Sequence, residues 1–403
     1  MDPKRHDWGD SNSTQEPPLH KAPRPHVGDS IQESFPHRIT SIASSNTLVQ
    51  IPTEQSDSAE NASQSISIKE TPQMRHHRAS LGLHPLAPLH DDHAQHGRQD
   101  LFWSRVRVTF REPFAEFWGV VIMILFGNGS VAQVLLSTGQ TEGAPGGNGF
   151  GNYQNVNWGW ALGVMLGIYV AGDSGAYLNP AITFSNCLYR QLPWRRFPTY
   201  FIAQLLGGMV GSCIVYANYI SAIDHYEGGH GIRTVPPVQT ATAGVFATYP
   251  QPFVNKASQF FSEFIASAIL MFVIFALKDE ANMGMTKSAH FFPLMLFFLI
   301  YGIGACFGWE TGYAINLVRD FSPRLMSYGL GYGKEVWSAG GYYFWIPMVA
   351  PWLGCMFGGF LYDVFIYTGQ SPVNAPYLGL SHFFHPRQEV RRKIEAEKDL
   401  QMV

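Results

Sequence analysis

The sequence predicts an all-α polytopic membrane protein: six transmembrane helices plus two re-entrant half-helices, arranged as an inverted repeat, with a disordered N-terminal tail. Three observations predict it. Of the 403 residues, 46% are hydrophobic and 14% charged, and the apolar ones are concentrated between about Phe114 and Tyr367. Two short runs interrupt that apolar stretch with an asparagine, Ser174-Gly175-Ala176-Tyr177-Leu178-Asn179-Pro180-Ala181 and Gly312-Tyr313-Ala314-Ile315-Asn316-Leu317-Val318-Arg319-Asp320. Finally, Ala115-Glu116-Phe117 opens the first apolar span much as Ser262-Glu263-Phe264 opens the fourth. Each copy then holds three spans and one asparagine box. An odd number of spans inverts the second copy, and inverted repeats with broken helices meeting at the midplane are a transport architecture.

In chain order, residues 1–99 are rich in Ser, His, Pro, Gln and charge and lack a long apolar run. They cannot repay the entropy of ordering and are expected to be a disordered cytoplasmic tail. Residues Met1 to His26 have no apolar core, so membrane insertion is expected to depend on the first span. Crossing the hydrocarbon core takes about twenty apolar residues. Spans are expected near 114–136, 157–173, 197–219, 257–278, 289–308 and 342–367. The apolar pieces near 180–190 and 317–328 are too short to cross and read as half-helices. Residues 100–370 thus form the channel-like domain, and 371–403 a second cytoplasmic tail.

Basic residues set the orientation. Arg105, Arg107 and Arg111 precede the first span, Arg190, Arg195 and Arg196 follow the first half-helix, Lys278 and Lys287 flank the connection after the fourth span, and Arg387, Arg391, Arg392 and Lys393 follow the last. Both termini are expected in the cytoplasm, which would keep the sequons at Asn12 and Asn61 unglycosylated. The net charge of −3 says little about partners, and no pattern points to nucleic acid, a cofactor or a metal. Cys187, Cys213, Cys306 and Cys355 sit in or beside spans without zinc or disulfide spacing. His76 and His77 read as solvated residues.

The chemistry lies in the boxes. Pro180 after Asn179 is a good helix start, because proline lacks an N–H that the first turn would leave unpaired and asparagine can cap it. In an inverted repeat the two half-helices point their N-termini at each other. Their dipoles oppose cations while the amides donate to a passing oxygen. Arg319, in an apolar setting, is costly and therefore a functional candidate. Asp320 reads as a structural partner for loop or helix-start groups. Glu116 and Glu263 are expected to accept backbone hydrogen bonds from bent loops, with a proton relay as the other reading of an intramembrane acid. Gly207, Gly208, Gly211, Gly358 and Gly359 allow close helix contact.

On these boxes, and over roughly Pro113 to Thr368, the chain resembles the aquaporin superfamily, within it the fungal aquaglyceroporins. The resemblance implies a right-handed six-helix bundle, a pore in each subunit and a homotetramer. It makes Asn179 and Asn316 the paired pore asparagines and Arg319 the filter arginine. It makes Tyr313 a filter position and Gly304 the position that is histidine in strict water channels. Trp160 resembles the filter aromatic of the second span if Val170 to Ser174 carries a one-residue deletion; otherwise Gly159 aligns. Glycine at 304 removes bulk and is expected to widen the constriction, and the Arg319-Asp320 pair with Arg324 resembles a glycerol-facilitator signature.

The implied function is passive passage of glycerol and other small neutral solutes, with water, through a membrane protein of the plasma membrane surrounded by lipid. A predominantly water-selective channel and a non-conducting sensor or scaffold are the alternatives. No nucleophile–base pair or metal cluster suggests an enzyme.

Two departures stand out. Leu317-Val318 replaces Pro-Ala in the second box, losing the preset φ and adding β-branched bulk, with an expected cost on the order of 1 kcal/mol in local order. Tyr177 stands where histidine is common. In the tails, Arg75-His76-His77-Arg78-Ala79-Ser80 resembles a basophilic kinase site, and Arg387 to Leu400 could form a charged helix.

Overall fold

The structure is a computed structural model and describes residues 101–139, 149–282 and 291–374. The tail at 1–99, its sequons and kinase-like site, Lys287 and the segment from Arg387 to Leu400 lie outside the described residues. Among the described residues every regular element is helical. In chain order these are α1 (Phe102–Thr109), α2 (Arg111–Ser137), α3 (Tyr153–Val170), α4 (Pro180–Tyr189), α5 (Phe197–Glu227), α6 (Lys256–Lys278), α7 (Phe292–Phe307), α8 (Leu317–Ser327), α9 (Glu335–Tyr342) and α10 (Trp345–Phe365).

The six expected spans are α2, α3, α5, α6, α7 and α10, and the half-helices are α4 and α8. Four of the spans are long and apolar enough to cross a bilayer: Arg111–Ser137, Trp194–Glu227, Lys256–Lys278 and Trp345–Phe365. The other two are the second helix of each repeat. Helix α7, with 16 residues, is about 24 Å long at the α-helical rise of 1.5 Å per residue. Helix α3 has 18 residues and begins with a polar turn.

Capping explains where boundaries differ from hydropathy. Helix α3 starts at Tyr153 because Asn152 accepts the Gln154 N–H while Asn155 accepts the Asn152 N–H, both at 2.9 Å. Helix α5 runs through the polar Asp224 and His225 and ends where Gly228 turns left-handed at φ 84°. Helix α1 has no counterpart among the expected elements. Arg105 and Arg107 lower its hydropathy, while Phe102 and Trp103 are exposed and Trp103 stacks on Phe114.

The repeat is visible in how helices touch. Helices α2 and α5 pack closely: a methyl group at Gly207 would lie 2.4 Å from the Phe117 carbonyl oxygen, and one at Gly211 2.9 Å from Ile124 Cβ. Helices α6 and α10 repeat the arrangement, with a methyl group at Gly354 falling 2.3 Å from the Phe264 carbonyl oxygen and one at Gly358 2.0 Å from that of Ala268. Gly207/Gly211 and Gly354/Gly358 are both four residues apart, the spacing that brings membrane helices into backbone contact. Phe117 and Phe264 directly follow Glu116 and Glu263, so these close approaches also set the depth of the two carboxylates. Helices α3 and α7 pack against each other through Trp158 and Phe297, with ring centroids 5.1 Å apart.

Gly358→Ala should therefore lower the melting temperature in detergent, by the roughly 1–3 kcal/mol typical of overpacking. Gly302→Ala, on open space in α7, should not lower it. Equal melting temperatures for both variants and the parent would remove the close-contact account.

Candidate pore site

The two half-helices start in the same way. Asn179 (φ −150°, ψ 120°) accepts the Ala181 N–H, and Asn316 (φ −152°, ψ 118°) accepts the Val318 N–H, each at 3.0 Å. The loss of Pro-Ala therefore leaves no mark on the cap. Val318 is fully buried, and its Cγ1 would lie 3.0 Å from a methyl group at Gly208, so Gly208 on α5 makes room for the branched side chain.

Each asparagine amide also reaches the other repeat. Asn179 Nδ2 donates to the Ile315 carbonyl and Asn316 Nδ2 to the Leu178 carbonyl, both at 2.9 Å. These reciprocal bonds join the N-termini of α4 and α8 head to head. An amide carries two N–H donors, so each asparagine keeps one beyond this bond.

The loops that lead into the boxes are strained. Ala176 and Leu178 (φ 54° each), Tyr313 (φ 39°) and Ile315 (φ 43°) are left-handed without being glycine. That conformation costs roughly 1–2 kcal/mol per residue, and the buried carboxylates hold it. Glu116 accepts the N–H groups of Tyr177 and Leu178 at 2.8 Å, the Gln204 amide at 2.8 Å and the Ser174 hydroxyl. Glu263 accepts the N–H groups of Ala314 at 2.9 Å and Ile315 at 2.8 Å, and the Tyr343 hydroxyl at 3.2 Å. Both carboxylates are fully buried among these donors.

A cavity runs past the boxes, lined by Asn179 and Asn316, by the loop residues Ala176, Tyr177, Leu178, Tyr313, Ala314 and Ile315, and by Trp160 and Arg319. The Arg319 guanidinium carbon lies 4.0 Å from the centre of the Trp160 ring, whereas Gly159 faces Ser130. Among the described residues the Arg319 guanidinium makes no protein hydrogen bond, and neither do the carbonyls of Ala176, Tyr177, Tyr313 and Ala314. The rest of the wall is mainly apolar, including Met123, Val164, Ile168, Leu270, Ile274 and Leu296.

Gly304 is not among the residues that line the cavity; its missing side chain leaves room for the ring of Tyr313, which does line it. A methyl group there would lie 2.5 Å from Asn157 Oδ1 and 2.8 Å from Tyr313 Cζ, so the room is already filled.

Asp320 and Arg324 also lie away from the cavity, fully buried. Arg324 holds Asp320 through Nε at 2.8 Å and a second nitrogen at 3.0 Å. It also donates to the carbonyls of Val336 at 2.7 Å and Thr248 at 2.6 Å. Asp320 accepts the Thr248 N–H and hydroxyl at 2.8 and 2.6 Å. The pair fastens α8 to the segment before α6 and to α9.

Three residues near the cavity, one of them in its wall, escaped the sequence pattern. Tyr153 and Asn157 have no signal beyond their polarity at the head of α3. Lys278, legible only as an orientation marker, lines the cavity with Nζ 4.8 Å from the Phe292 ring centre and 5.4 Å from that of Tyr177. Cys187, Cys213, Cys306 and Cys355 are free thiols.

Six spanning helices, with two asparagine-capped half-helices meeting head to head at a cavity, define a polytopic membrane protein built on an inverted repeat. The major intrinsic protein model matches residues 103–362, and the chain belongs to that family, one of membrane channels rather than enzymes. Aquaglyceroporin-9 of Botryotinia fuckeliana is 63% identical over 283 residues, which are 70% of this chain and 60% of that protein. Probable aquaglyceroporin-2 of Gibberella zeae is 62% identical over 286 residues, 71% of this chain and 81% of that protein. The X-ray structure of the aquaglyceroporin from Plasmodium falciparum superimposes with a TM-score of 0.54 at 31% identity, covering 64% of this chain and 96% of that one. The protein is thus an integral membrane protein with the aquaporin architecture.

Asp320→Ala should cost about 3–5 kcal/mol in stability by leaving the Arg324 charge buried alone. Asp320→Asn, whose amide oxygen can still accept from Thr248 and Arg324, should cost less. Unfolding in detergent measures both, and an Asp320→Ala variant as stable as the parent would contradict the ion-pair account.

Proposed function

We propose that this chain is a passive channel for glycerol and other small neutral solutes, with water passing along the same route. The observation that carries the reading is the two-sided chemistry of the cavity. Trp160 and Tyr313 offer aromatic faces suited to a CH backbone. In the same wall are the Arg319 donors, the spare amide hydrogens of Asn179 and Asn316, and unpaired carbonyls in both loops, suited to hydroxyls. A polyol needs both sides, because a hydroxyl leaving water costs free energy unless it is hydrogen-bonded again.

The half-helix N-termini and Arg319 put positive potential along the path and disfavour cations. In this reading Asn179, Pro180, Ala181, Asn316, Leu317 and Val318 form the pore boxes, and Trp160, Tyr313 and Arg319 form the filter. Glu116, Glu263, Asp320 and Arg324 hold that arrangement in place. The aquaglyceroporin names of both fungal relatives support the choice of solute. The remaining parts of the proposal are a homotetramer in the plasma membrane, a channel domain over about 100–370, and tails at 1–99 and 371–403 in the cytoplasm.

Stopped-flow light scattering of proteoliposomes tests it. Glycerol and water permeability should both exceed those of empty liposomes. Fast water flux with glycerol at the empty-liposome level would replace the proposal with a water channel. Loss of both, restored by Leu317→Pro with Val318→Ala, would favour a non-conducting sensor or scaffold.

A further inference from the structure

Gly304 and Gly308 lie one turn apart, Gly304 on α7 and Gly308 just past its end, and leave a notch in its surface. Tyr313 fills it: a methyl group at Gly304 would lie 2.9 Å from its hydroxyl oxygen, and one at Gly308 2.8 Å from its Cδ1. Two residues of α3, also one turn apart, close the notch from the other side. The Tyr153 hydroxyl donates to the Gly304 carbonyl at 3.1 Å, and the Tyr313 hydroxyl donates to Asn157 Oδ1 at 3.1 Å. Trp160, under Arg319, follows Asn157 by three residues on the same helix. One face of α3 therefore supplies one aromatic of the constriction and anchors the other.

Asn157 is an odd residue for this place. It is fully buried, and its Nδ2 has no partner among the described residues. An unsatisfied buried amide nitrogen is destabilising, so an apolar residue of the same size would suit the fold at least as well. What the amide supplies is its oxygen, and that oxygen meets Tyr313. The Tyr313 backbone is left-handed at φ 39°, so this bond at the tip of the ring is a second, independent hold on its position.

We propose that Asn157 is a specificity-determining positioning residue: it keeps the Tyr313 ring seated in the Gly304 notch and so sets the clearance between Tyr313, Trp160 and Arg319. The proposal rests on the channel reading above. Released, the ring has only the cavity to move into, and a solute the size of glycerol loses passage before water does.

The test is paired glycerol and water permeability in proteoliposomes for the parent, Asn157→Leu, Tyr313→Phe and the double variant, with melting temperatures in detergent. Both single variants should lower the glycerol-to-water ratio about threefold or more. The double should be no lower than either single, because all three break one bond, and Asn157→Leu should melt no lower than the parent. A general folding defect would instead reduce both fluxes together and leave the ratio unchanged. Ratios equal to the parent in both single variants, or additive effects in the double, would overturn the proposal. If Asn157→Leu fails to fold, Tyr313→Phe, which keeps the ring, decides alone. A parent without glycerol flux would overturn the channel reading itself.

Discussion

The structure depends on the pair of hydrogen bonds by which Asn179 and Asn316 each donate to the carbonyl preceding the other. A half-helix that stops mid-membrane leaves unpaired N–H groups where lipid cannot satisfy them. Two such ends meeting at their tips cannot pair with each other, because both present N–H donors; each asparagine oxygen instead caps its own half-helix, and something must still fix the distance between the two ends. The reciprocal bonds do so, and they fix it at a separation that leaves each amide one donor. The carbonyls they use belong to Leu178 and Ile315, which are left-handed; the strain at these residues is thus part of how the junction closes.

Holding that junction takes two further layers. Glu116 and Glu263 bind the adjacent N–H groups and are carried on α2 and α6. Those helices are placed in turn by glycine contacts with α5 and α10. The Asp320–Arg324 pair then secures the far side of α8. Stability and permeation therefore draw on different residues. The buried charged groups other than Arg319 are withdrawn from the cavity wall and used as fasteners, which leaves a lumen with two cationic side chains, Arg319 and the exposed Lys278, and no carboxylate among its lining residues.

Much of this was legible in the sequence because it depends on local chemistry. An asparagine inside apolar sequence is costly in lipid unless it caps a helix or faces a polar path, and Pro180 directly after Asn179 marks the helix start. The two Glu-Phe openings betray the repeat, and the helix order follows from hydropathy. What escaped was long-range. The gap at Gly304 is visible in the sequence, but not that Tyr313 and Asn157 fill it. Val318 looked costly because its neighbour Gly208 is distant in the chain. Helix α1 was hidden by its arginines. Arg324 was legible only as part of a signature with Arg319 and Asp320; its ion pair with Asp320 and its burial away from the lumen involve Thr248 and Val336, which no local pattern connects to it.

A density map of the chain in lipid with glycerol present tests the central claim most directly. Ordered solute or water density should lie about 2.7–3.2 Å, ordinary hydrogen-bonding distance, from Asn179 Nδ2, Asn316 Nδ2 and the Arg319 guanidinium, with both asparagine–carbonyl bonds intact. Protein or lipid density filling the space beside the two asparagines, or amides turned away from the opposite carbonyls, would contradict it.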